Sequence, residues 1–179
     1  MNIQHSSRQD CWYTPPQILE MAREVLGAID LDPASDAWGN ETVKAEKFFT
    51  QAECGLTQNW SFSDDPLTVW LNPPGGKVGN KSQTALFWGK LMDMRRTGGL
   101  KHAVFMAFSA EALQNTQGKG TPCLMDFPFC IPAKRIRFVS RGVEKFAPSH
   151  SNAIVYVPGT VNESGKFRNV FTQLGAVKL

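Results

Sequence analysis

One short stretch of the chain places an amide side chain where it could do chemistry. Residues 69–71 are uncharged β-formers, and Asn72, Pro73 and Pro74 follow them. Because proline cannot donate to a β-ladder, we expect a strand to end at Asn72. The Asn72 side-chain oxygen and the Pro73 carbonyl would then present two hydrogen-bond acceptors, which suit a substrate NH2 group with its two N–H donors. Binding both hydrogens aims the nitrogen lone pair at an electrophile. Taken alone, the same residues are also typical of a simple strand-ending turn.

A second polar residue follows an earlier predicted strand. Residues 28–32 predict a short strand that ends at Asp32, because Pro33 stops it and Ala34 and Ser35 form a turn of small residues. In open α/β sheets, ligands bind at the carboxyl ends of the strands. The Asp32 carboxylate could accept hydrogen bonds from a ribose or an amino group, pair with an ammonium group, or simply stabilise the turn. The turn lacks the Gly-x-Gly-x-x-Gly pattern of a dinucleotide pyrophosphate site.

The other predicted elements would hold these two strand ends in one sheet. Thr14 is predicted to cap a helix that begins at Pro15 and closes at Gly27. Residues 102–108 are a continuous apolar run, typical of a buried parallel strand. In the first half of the chain we also expect a strand within 43–50, in an otherwise irregular segment 36–59, and a helix from Ser82 to about Arg95. In the second half we expect an alternating edge or antiparallel strand at 135–139 and a strand at 153–157. A final helix has an apolar stripe from Phe167 to Leu174 and stops at Gly175. We therefore predict a single α/β domain over residues 1–179 with a mixed, mostly parallel sheet, preceded by a flexible arm at residues 1–11.

The composition is that of an ordinary globular protein. Of the 179 residues, 42% are hydrophobic and 20% charged, and the net charge of +3 is compatible with a nucleic-acid partner without requiring one. No apolar run approaches membrane-spanning length, and residues 1–10 lack the apolar region of a secretory signal, so we expect no membrane association. The four cysteines are widely spaced, without a C-x-x-C pair or nearby histidines. That spacing argues against a zinc site and favours a reduced, cytoplasmic protein.

The order of the motifs resembles one enzyme family. Trp-x-Thr-Pro at residues 12–15, a helix, Leu-Asp-Pro-Ala-Ser at residues 31–35 and then strand-Asn-Pro-Pro ending at residue 74 are similar to amino-methylating DNA methyltransferases. The narrower resemblance is to the phage-type DNA N6-adenine methyltransferase (Dam) family. It extends from Trp12 to about Val157, and the segments 135–138 and 148–155 look like the closing strand pair of that family.

The resemblance implies a Rossmann-like class I methyltransferase fold, with helices on both faces of the sheet. It implies S-adenosylmethionine as cofactor, DNA as partner, adenine N6 as the methyl acceptor, and no metal. The two acceptors at Asn72 and Pro73 would bind the amino hydrogens of a base that has left the helix. If a phage encodes the protein, the host cytoplasm is its expected location. The residues implied are Trp12, Thr14, Pro15, Asp32, Pro33, Ala34, Ser35 and Asn72 near the cofactor, and Asn72, Pro73 and Pro74 in catalysis.

The chain departs from the family pattern at Gly75. The motif usually has Tyr, Phe or Trp there, which stacks on the flipped base, a contact worth about 1–3 kcal/mol. Trp70, Phe87 or Trp88 could substitute for that ring. Near the expected adenine of the cofactor, Glu53 or Cys54 occupies the region of an acidic family residue, and the sequence assigns the role to neither.

Two loops could contact DNA, because the chain leaves little room for a separate recognition domain. Lys77 and Lys81 lie in a Gly-rich basic loop, residues 75–81, and are candidates for phosphate contacts or ordinary solvated side chains. The second loop is the polar segment 140–152.

The motif leaves other functions open. Asn-Pro-Pro motifs also serve methylation of cytosine N4, of RNA bases and of protein glutamine, whose amide offers the same two donors. A catalytically silent relative that binds DNA or a partner protein is a further alternative, and the missing aromatic at Gly75 favours it.

Overall fold

The computed structural model describes residues 12–107, 110–117, 120–140, 143–144 and 151–179. The predicted arm at residues 1–11 and most of the loop 140–152 lie outside these ranges. The helices are α1 (Pro16–Leu26), α2 (Ala37–Val43), α3 (Gln83–Arg96), α4 (Ala110–Asn115) and α5 (Ser164–Phe171), with a 3-10 turn at Leu124–Asp126. The strands are β1 (Leu31–Asp32), β2 (Lys47–Phe48), β3 (Leu67–Leu71), β4 (Lys77–Val78), β5 (Lys81–Ser82), β6 (Leu100–Ala107), β7 (Phe129–Pro132), β8 (Val139–Ser140), β9 (Val143–Glu144), β10 (Ala153–Pro158) and β11 (Gly175–Lys178).

Seven strands form one mixed sheet in the order β11-β7-β10-β6-β3-β1-β2. The four strands from β2 to β6 are mutually parallel, whereas β10 runs antiparallel to both β6 and β7, and β11 runs antiparallel to β7. Five of the seven strands therefore point the same way. The predicted α/β class with a mixed, mostly parallel sheet is confirmed.

Helices cover both faces of the sheet, and its central strands are therefore buried on both sides. All five residues of β3 are buried. Val69 and Leu71 pack in the cluster that contains the apolar residues of α3, and Trp70 packs in the opposite cluster with those of α1 and α5. This alternation lets each strand contribute to two cores, as expected for a sheet with helices on both faces.

Helix α2 was not predicted from the sequence. Asp36 caps it by accepting a hydrogen bond from the Gly39 amide at 2.7 Å. Only Gly39 and Val43 of the helix are buried, so its sequence carries no apolar stripe of helical period. The helix ends at Val43, and the next residue, Lys44, adopts a left-handed backbone with φ 56°.

Two predictions about the C-terminal half are wrong. Residues 135–138 alternate as predicted, with Ile136 and Phe138 buried, but they form no strand; of the predicted strand 135–139 only Val139 does, in the short β8, which pairs antiparallel with β9 outside the seven-stranded sheet. The predicted closing strand pair therefore does not form, and the segment is instead an extended stretch packed on the α1 side. Helix α5 ends before Leu174, and Gly175 begins β11 rather than stopping a helix. A Cβ at Gly175 would lie 2.1 Å from the Ile131 carbonyl oxygen, so this glycine permits a close approach between strands.

Candidate functional site

The topology leaves a crevice at the carboxyl ends of β1 and β3. Strand β1 pairs with β2 on one side and with β3 on the other, so the chain reverses its direction of travel across the sheet at this point. Ligands of open α/β sheets bind at such switch points. A cavity of about 450 Å³ lies there, within the size range of small-molecule sites.

The cavity brings together most of the predicted site residues. Its lining includes Trp12, Thr14, Asp32, Pro33, Ala34, Ser35, Asn72, Pro73 and Pro74. Pro15 is outside the lining, at the N-cap of α1. Lys77 and Lys81 are also outside it, on the β4–β5 hairpin.

Asn72 is held so that its amide nitrogen is engaged and its amide oxygen is free. The nitrogen Nδ2 lies 3.3 Å from Thr14 Oγ1 and 3.4 Å from the Trp12 carbonyl oxygen, and it donates to both. The oxygen Oδ1 is buried and has no hydrogen-bond partner among the described residues. A buried polar atom without a partner costs stability, so such an atom in a cavity is a reason to look for a ligand donor.

The predicted cap at Thr14 is wrong by one residue, and the error bears on the site. Helix α1 begins at Pro16, with Pro15 at the N-cap in an extended conformation (ψ 143°) and no side-chain cap. The reason is that a residue before proline is disfavoured in the helical region, so the second proline of the pair becomes the first helical residue. The Thr14 hydroxyl, which the prediction assigned to capping, instead accepts the hydrogen bond from Asn72.

The segment that carries Trp12 and Thr14 is itself anchored from two directions. Tyr13 and Val139 exchange two backbone hydrogen bonds of 2.9 Å. The Tyr13 hydroxyl donates to Asp36 at 2.6 Å, and its ring centroid lies 4.3 Å from that of Trp38. The support for Asn72 therefore extends to α2 and to the C-terminal half of the chain.

Asp32 is the buried carboxyl group of the cavity. Its side chain is 2% exposed, and Oδ1 accepts a hydrogen bond from the Ala34 amide at 3.1 Å. Burial raises the pKa of Asp32 to about 7, and the hydrogen bonds from Ala34 and Ser35 offset that effect only in part. The residue therefore stabilises its turn and also lines the cavity. The turn-stabilising and the ligand-binding interpretations of Asp32 are thus compatible.

A loop at residues 51–58 forms a further wall of the cavity, and the sequence did not reveal what holds it. Lys90 donates from Nζ to the carbonyls of Gly55 (3.2 Å), Leu56 (2.8 Å) and Gln58. Trp60 donates from Nε1 to the Gly55 carbonyl at 2.8 Å. A lysine in the middle of a helix gives no sequence signal for this role, because the carbonyls it binds are more than 30 positions away.

Gly55 is the contact between this loop and the Asp32 turn. A Cβ at Gly55 would lie 1.9 Å from the Pro33 carbonyl oxygen, so only glycine fits this approach. The sequence offered Glu53 and Cys54 for the position near the cofactor adenine where the resembled family has an acidic residue. Of these two, Cys54 lines the cavity. Glu53 does not line it, and its carboxylate instead accepts hydrogen bonds from the Thr50 amide and hydroxyl, both at 2.8 Å.

The cavity contains two of the three proposed substitutes for the missing aromatic. Trp70 and Phe87 line it. Trp88 does not, and packs edge-on against Phe105 and Phe127 in the core. Gly75 itself is exposed at the rim, with no atom within 4 Å of a Cβ built on it.

The basic segment after the prolines is a two-stranded hairpin rather than an irregular loop. Strands β4 and β5 pair antiparallel around a two-residue turn that begins with Gly79 (φ 58°), a position where hairpin turns favour glycine. Lys77 and Lys81 are exposed on it, and Val78 is 55% exposed. Gln83 anchors the base of the hairpin by donating to the Gly75 carbonyl at 2.8 Å.

Comparison with known proteins gives one family. The family model "DNA N-6-adenine-methyltransferase (Dam)" matches residues 2–86, just under half of the 179-residue chain. The matched part includes the Trp12–Pro15 segment, the Asp32 turn and Asn72–Pro74, so the resemblance predicted from the sequence is confirmed there. No curated protein matches the chain. Within the described ranges, no group of three or more His, Cys, Asp or Glu side chains is placed to hold a metal ion, and no helix is long and apolar enough to span a membrane.

Proposed function

Because residues 2–86 match the DNA N-6-adenine-methyltransferase (Dam) family, we propose that the protein transfers a methyl group from S-adenosylmethionine to adenine N6 in DNA. The observation that carries the proposal is Asn72 Oδ1, a buried acceptor without a partner in the described structure, at the edge of a cavity at the sheet's switch point. An acceptor fixed in this way suits a substrate that brings hydrogen-bond donors.

The residues of the cavity fit the cofactor. S-adenosylmethionine, when bound, supplies a methyl group on a positively charged sulfur. The buried Asp32 carboxyl could pair with an ammonium group or accept from ribose hydroxyls, and ionisation next to a cation would relieve the cost of its burial. Thr14, the Pro33–Ser35 turn and the wall formed by Cys54 and Leu56 would surround the rest of the molecule.

Asn72 and Pro73 would hold the amino group of the target adenine. Asn72 Oδ1 accepts one N6 hydrogen and the Pro73 carbonyl accepts the other, which turns the nitrogen lone pair out of conjugation. Thr14 Oγ1 and the Trp12 carbonyl keep the Asn72 nitrogen turned away from the base, because Nδ2 already donates to both. The contribution of the protein is therefore orientation and fixed dipoles, and no strong base is needed before transfer.

The β4–β5 hairpin is the proposed contact to the DNA backbone. It follows Asn72–Pro74 directly, so it stands beside the place where the base must enter. Lys77 and Lys81 are exposed on it and could each neutralise one phosphate. Gly75, at its base, leaves an open rim at the position where the motif of the resembled family usually has an aromatic ring.

Substitution of Asn72 tests the proposal. Asn72→Ala should lower methyl transfer by more than about a hundredfold, the scale of losing one fixed polar group at a reacting centre. Asn72→Asp should retain part of the activity, because a carboxylate presents a similar acceptor. Transfer is measured with labelled cofactor and unmethylated DNA, followed by nucleoside analysis. Asn169→Ala, at an exposed position of α5, is the matched control.

Melting temperature and cofactor affinity establish that the Asn72 variants are folded. If nucleoside analysis finds methylcytosine, or if only RNA or protein amides accept the label, the substrate assignment is wrong and the motif serves another amino group. If wild type and Asn72→Ala are equally inactive on all of these while wild type still binds DNA, the protein is a silent binder. Gly75, in place of the ring that would stack on the base, is the observation that favours this second candidate.

A further inference from the structure

A base that leaves the helix needs a new surface to replace its stacking partners. Enzymes that extrude a base receive it between aromatic or apolar side chains. Directly after Asn72–Pro74, where such a ring could stand, this chain has Gly75, with no atom within 4 Å of a Cβ built on it. A ring that covers the base must therefore come from another wall of the cavity.

Most aromatic rings of the cavity are already covered by the fold. Phe49, Trp70 and Phe87 are at most 5% exposed, so their faces are packed in the core. Tyr13 is half-buried, and its ring centroid lies 4.3 Å from that of Trp38. Among the described residues, the aromatic side chains that line the cavity are these three, Tyr13 and Trp12.

Trp12 is the exposed member of this set. It lines the cavity and is nevertheless 38% exposed, so its side chain lies at the mouth of the cavity rather than deep in the wall. Gly75 lines the same cavity and is exposed as well, so both residues belong to its rim. An indole also offers a large, rigid ring face for stacking. Trp12 is thus the ring that stands where a base would enter.

A hydrogen bond ties Trp12 to the residue that would hold the amino group. Its carbonyl oxygen accepts from Asn72 Nδ2 at 3.4 Å, at one end of the amide whose other end, Oδ1, has no partner in the described structure. The carbonyl and the indole are both attached to the Cα of Trp12, so the ring is held within one side-chain length of Asn72. Two backbone hydrogen bonds between Tyr13 and Val139 fix the next residue, so the position of this segment does not depend on the indole alone.

We propose that the indole of Trp12 stacks on the extruded adenine and supplies the ring that the chain lacks at Gly75. The inference rests on the function proposed above. In this arrangement Asn72 and Pro73 would bind the amino group, and Trp12 would cover the face of the base. Because stacking tolerates any base, Trp12 would strengthen binding of the extruded nucleotide and leave the choice of base to the hydrogen bonds at Asn72. The family resemblance placed Trp12 near the cofactor, whereas the proposal assigns its indole to the substrate and its carbonyl to the support of Asn72.

Removing the base from the target position tests the contact. After the sequence methylated by the wild type is identified, duplex oligonucleotides carry either adenine or an abasic nucleotide at the target. Fluorescence anisotropy measures their affinity at saturating S-adenosylhomocysteine, which has no methyl group to transfer. Trp12→Ala should weaken binding of the adenine duplex by about 5- to 150-fold, the range for one base–aromatic stack. The same variant should bind the abasic duplex as tightly as the wild type does, because that duplex has no base to stack.

Two further variants separate stacking from simple apolar contact. Trp12→Phe keeps a ring and should keep most of the affinity for the adenine duplex, whereas Trp12→Leu is apolar without a ring and should lose most of it. This pair also carries the test if Trp12→Ala does not fold. Met125→Ala removes another exposed apolar side chain, outside the cavity lining, and should bind both duplexes as the wild type does. Melting temperature and calorimetric cofactor affinity without DNA check that each variant is folded.

Three results would overturn the proposal and leave the methyltransferase assignment intact, provided that the wild type transfers label to adenine. If Trp12→Ala changes the affinity for both duplexes by the same factor, or changes neither, the indole does not touch the base. If it weakens S-adenosylmethionine binding without DNA and leaves the affinity for the adenine duplex unchanged, the ring belongs to the cofactor. If Trp12→Phe and Trp12→Leu are equally impaired, an aromatic face is not what the site requires. If the wild type methylates no DNA at all, the proposed function fails, and the role of Trp12 fails with it.

Discussion

Replacing Asp32 with asparagine should make the protein more stable at neutral pH. The carboxyl group is 2% exposed, and burial raises its pKa from 3.8 to about 7. An asparagine oxygen can still accept the 3.1 Å hydrogen bond from the Ala34 amide, and it carries no charge to desolvate. The variant therefore removes the cost of a buried carboxylate and keeps the geometry of the turn.

The size and the sign of the effect follow from proton linkage. Below about pH 4, Asp32 is protonated in the folded and the unfolded chain, so its titration contributes no pH dependence. Between about pH 4 and pH 7, the unfolded chain loses this proton and the folded protein keeps it, so stability falls as pH rises. Three pH units at about 1.4 kcal/mol each give about 4 kcal/mol, and the loss levels off above pH 7.

Urea unfolding of wild type and Asp32→Asn from pH 4 to pH 8 measures this difference. The free energies of unfolding should be similar at pH 4 and diverge by about 4 kcal/mol in favour of the variant by pH 8. Asp64→Asn, at an exposed loop position, reports the effect of removing a surface carboxylate. A wild-type-minus-variant difference that stays constant from pH 4 to pH 8 would refute the reasoning. The variant should also bind S-adenosylmethionine more weakly, which would show that the carboxyl is kept for its ligand at a cost in stability.

Three further substitutions test other parts of the site. Gly55→Ala would put a Cβ 1.9 Å from the Pro33 carbonyl oxygen, so we expect a loss of about 1–3 kcal/mol on thermal melting and weaker cofactor binding by calorimetry; an unchanged melting temperature would contradict the close approach. Gly75→Tyr should hold or raise the rate of methylation, because no atom lies within 4 Å of the new Cβ and the backbone is not left-handed there; a large drop in melting temperature would exclude this account. Replacing Lys77 and Lys81 together with alanine should weaken DNA binding. The slope of log K against log salt concentration, measured by fluorescence anisotropy, should become shallower by about 0.9 per lost phosphate contact. An unchanged slope would remove the hairpin from the interface.

The sequence predicted the structure best where the backbone conformation depends on adjacent residues. Two prolines after Asn72 and one after Asp32 predict strand ends that the structure confirms, because proline cannot continue a ladder. Parallel neighbouring strands then bring those ends to one edge, so a shared cavity could be expected from the two motifs and the α/β pattern alone.

The rest of the site depends on contacts between distant residues. Thr14 was assigned to capping because the pattern does not show that Asn72 lies next to it, 58 positions later in the chain. Lys90 and Gly55 meet across 35 positions, and neither has a local signal. The extended segment around Phe138 alternates like a strand, but β10 has no free edge for it, and strand order cannot be read from alternation.

The place of β7 in the sheet has a consequence for how the chain can fold. Both strands that pair with β7, namely β10 and β11, come later in the chain, with Ile154 and Val177 on either side of Cys130. On a growing polypeptide, β7 therefore has no partner strand until β10 has been synthesised, and these long-range pairings are slow because loops must close first. The fragment that ends at residue 86 would contain Asn72 and Asp32, yet it would lack both β6 and the backbone of Val139 that anchors Tyr13. The segment that the family model matches can thus be complete in sequence before the site that it contributes to can assemble.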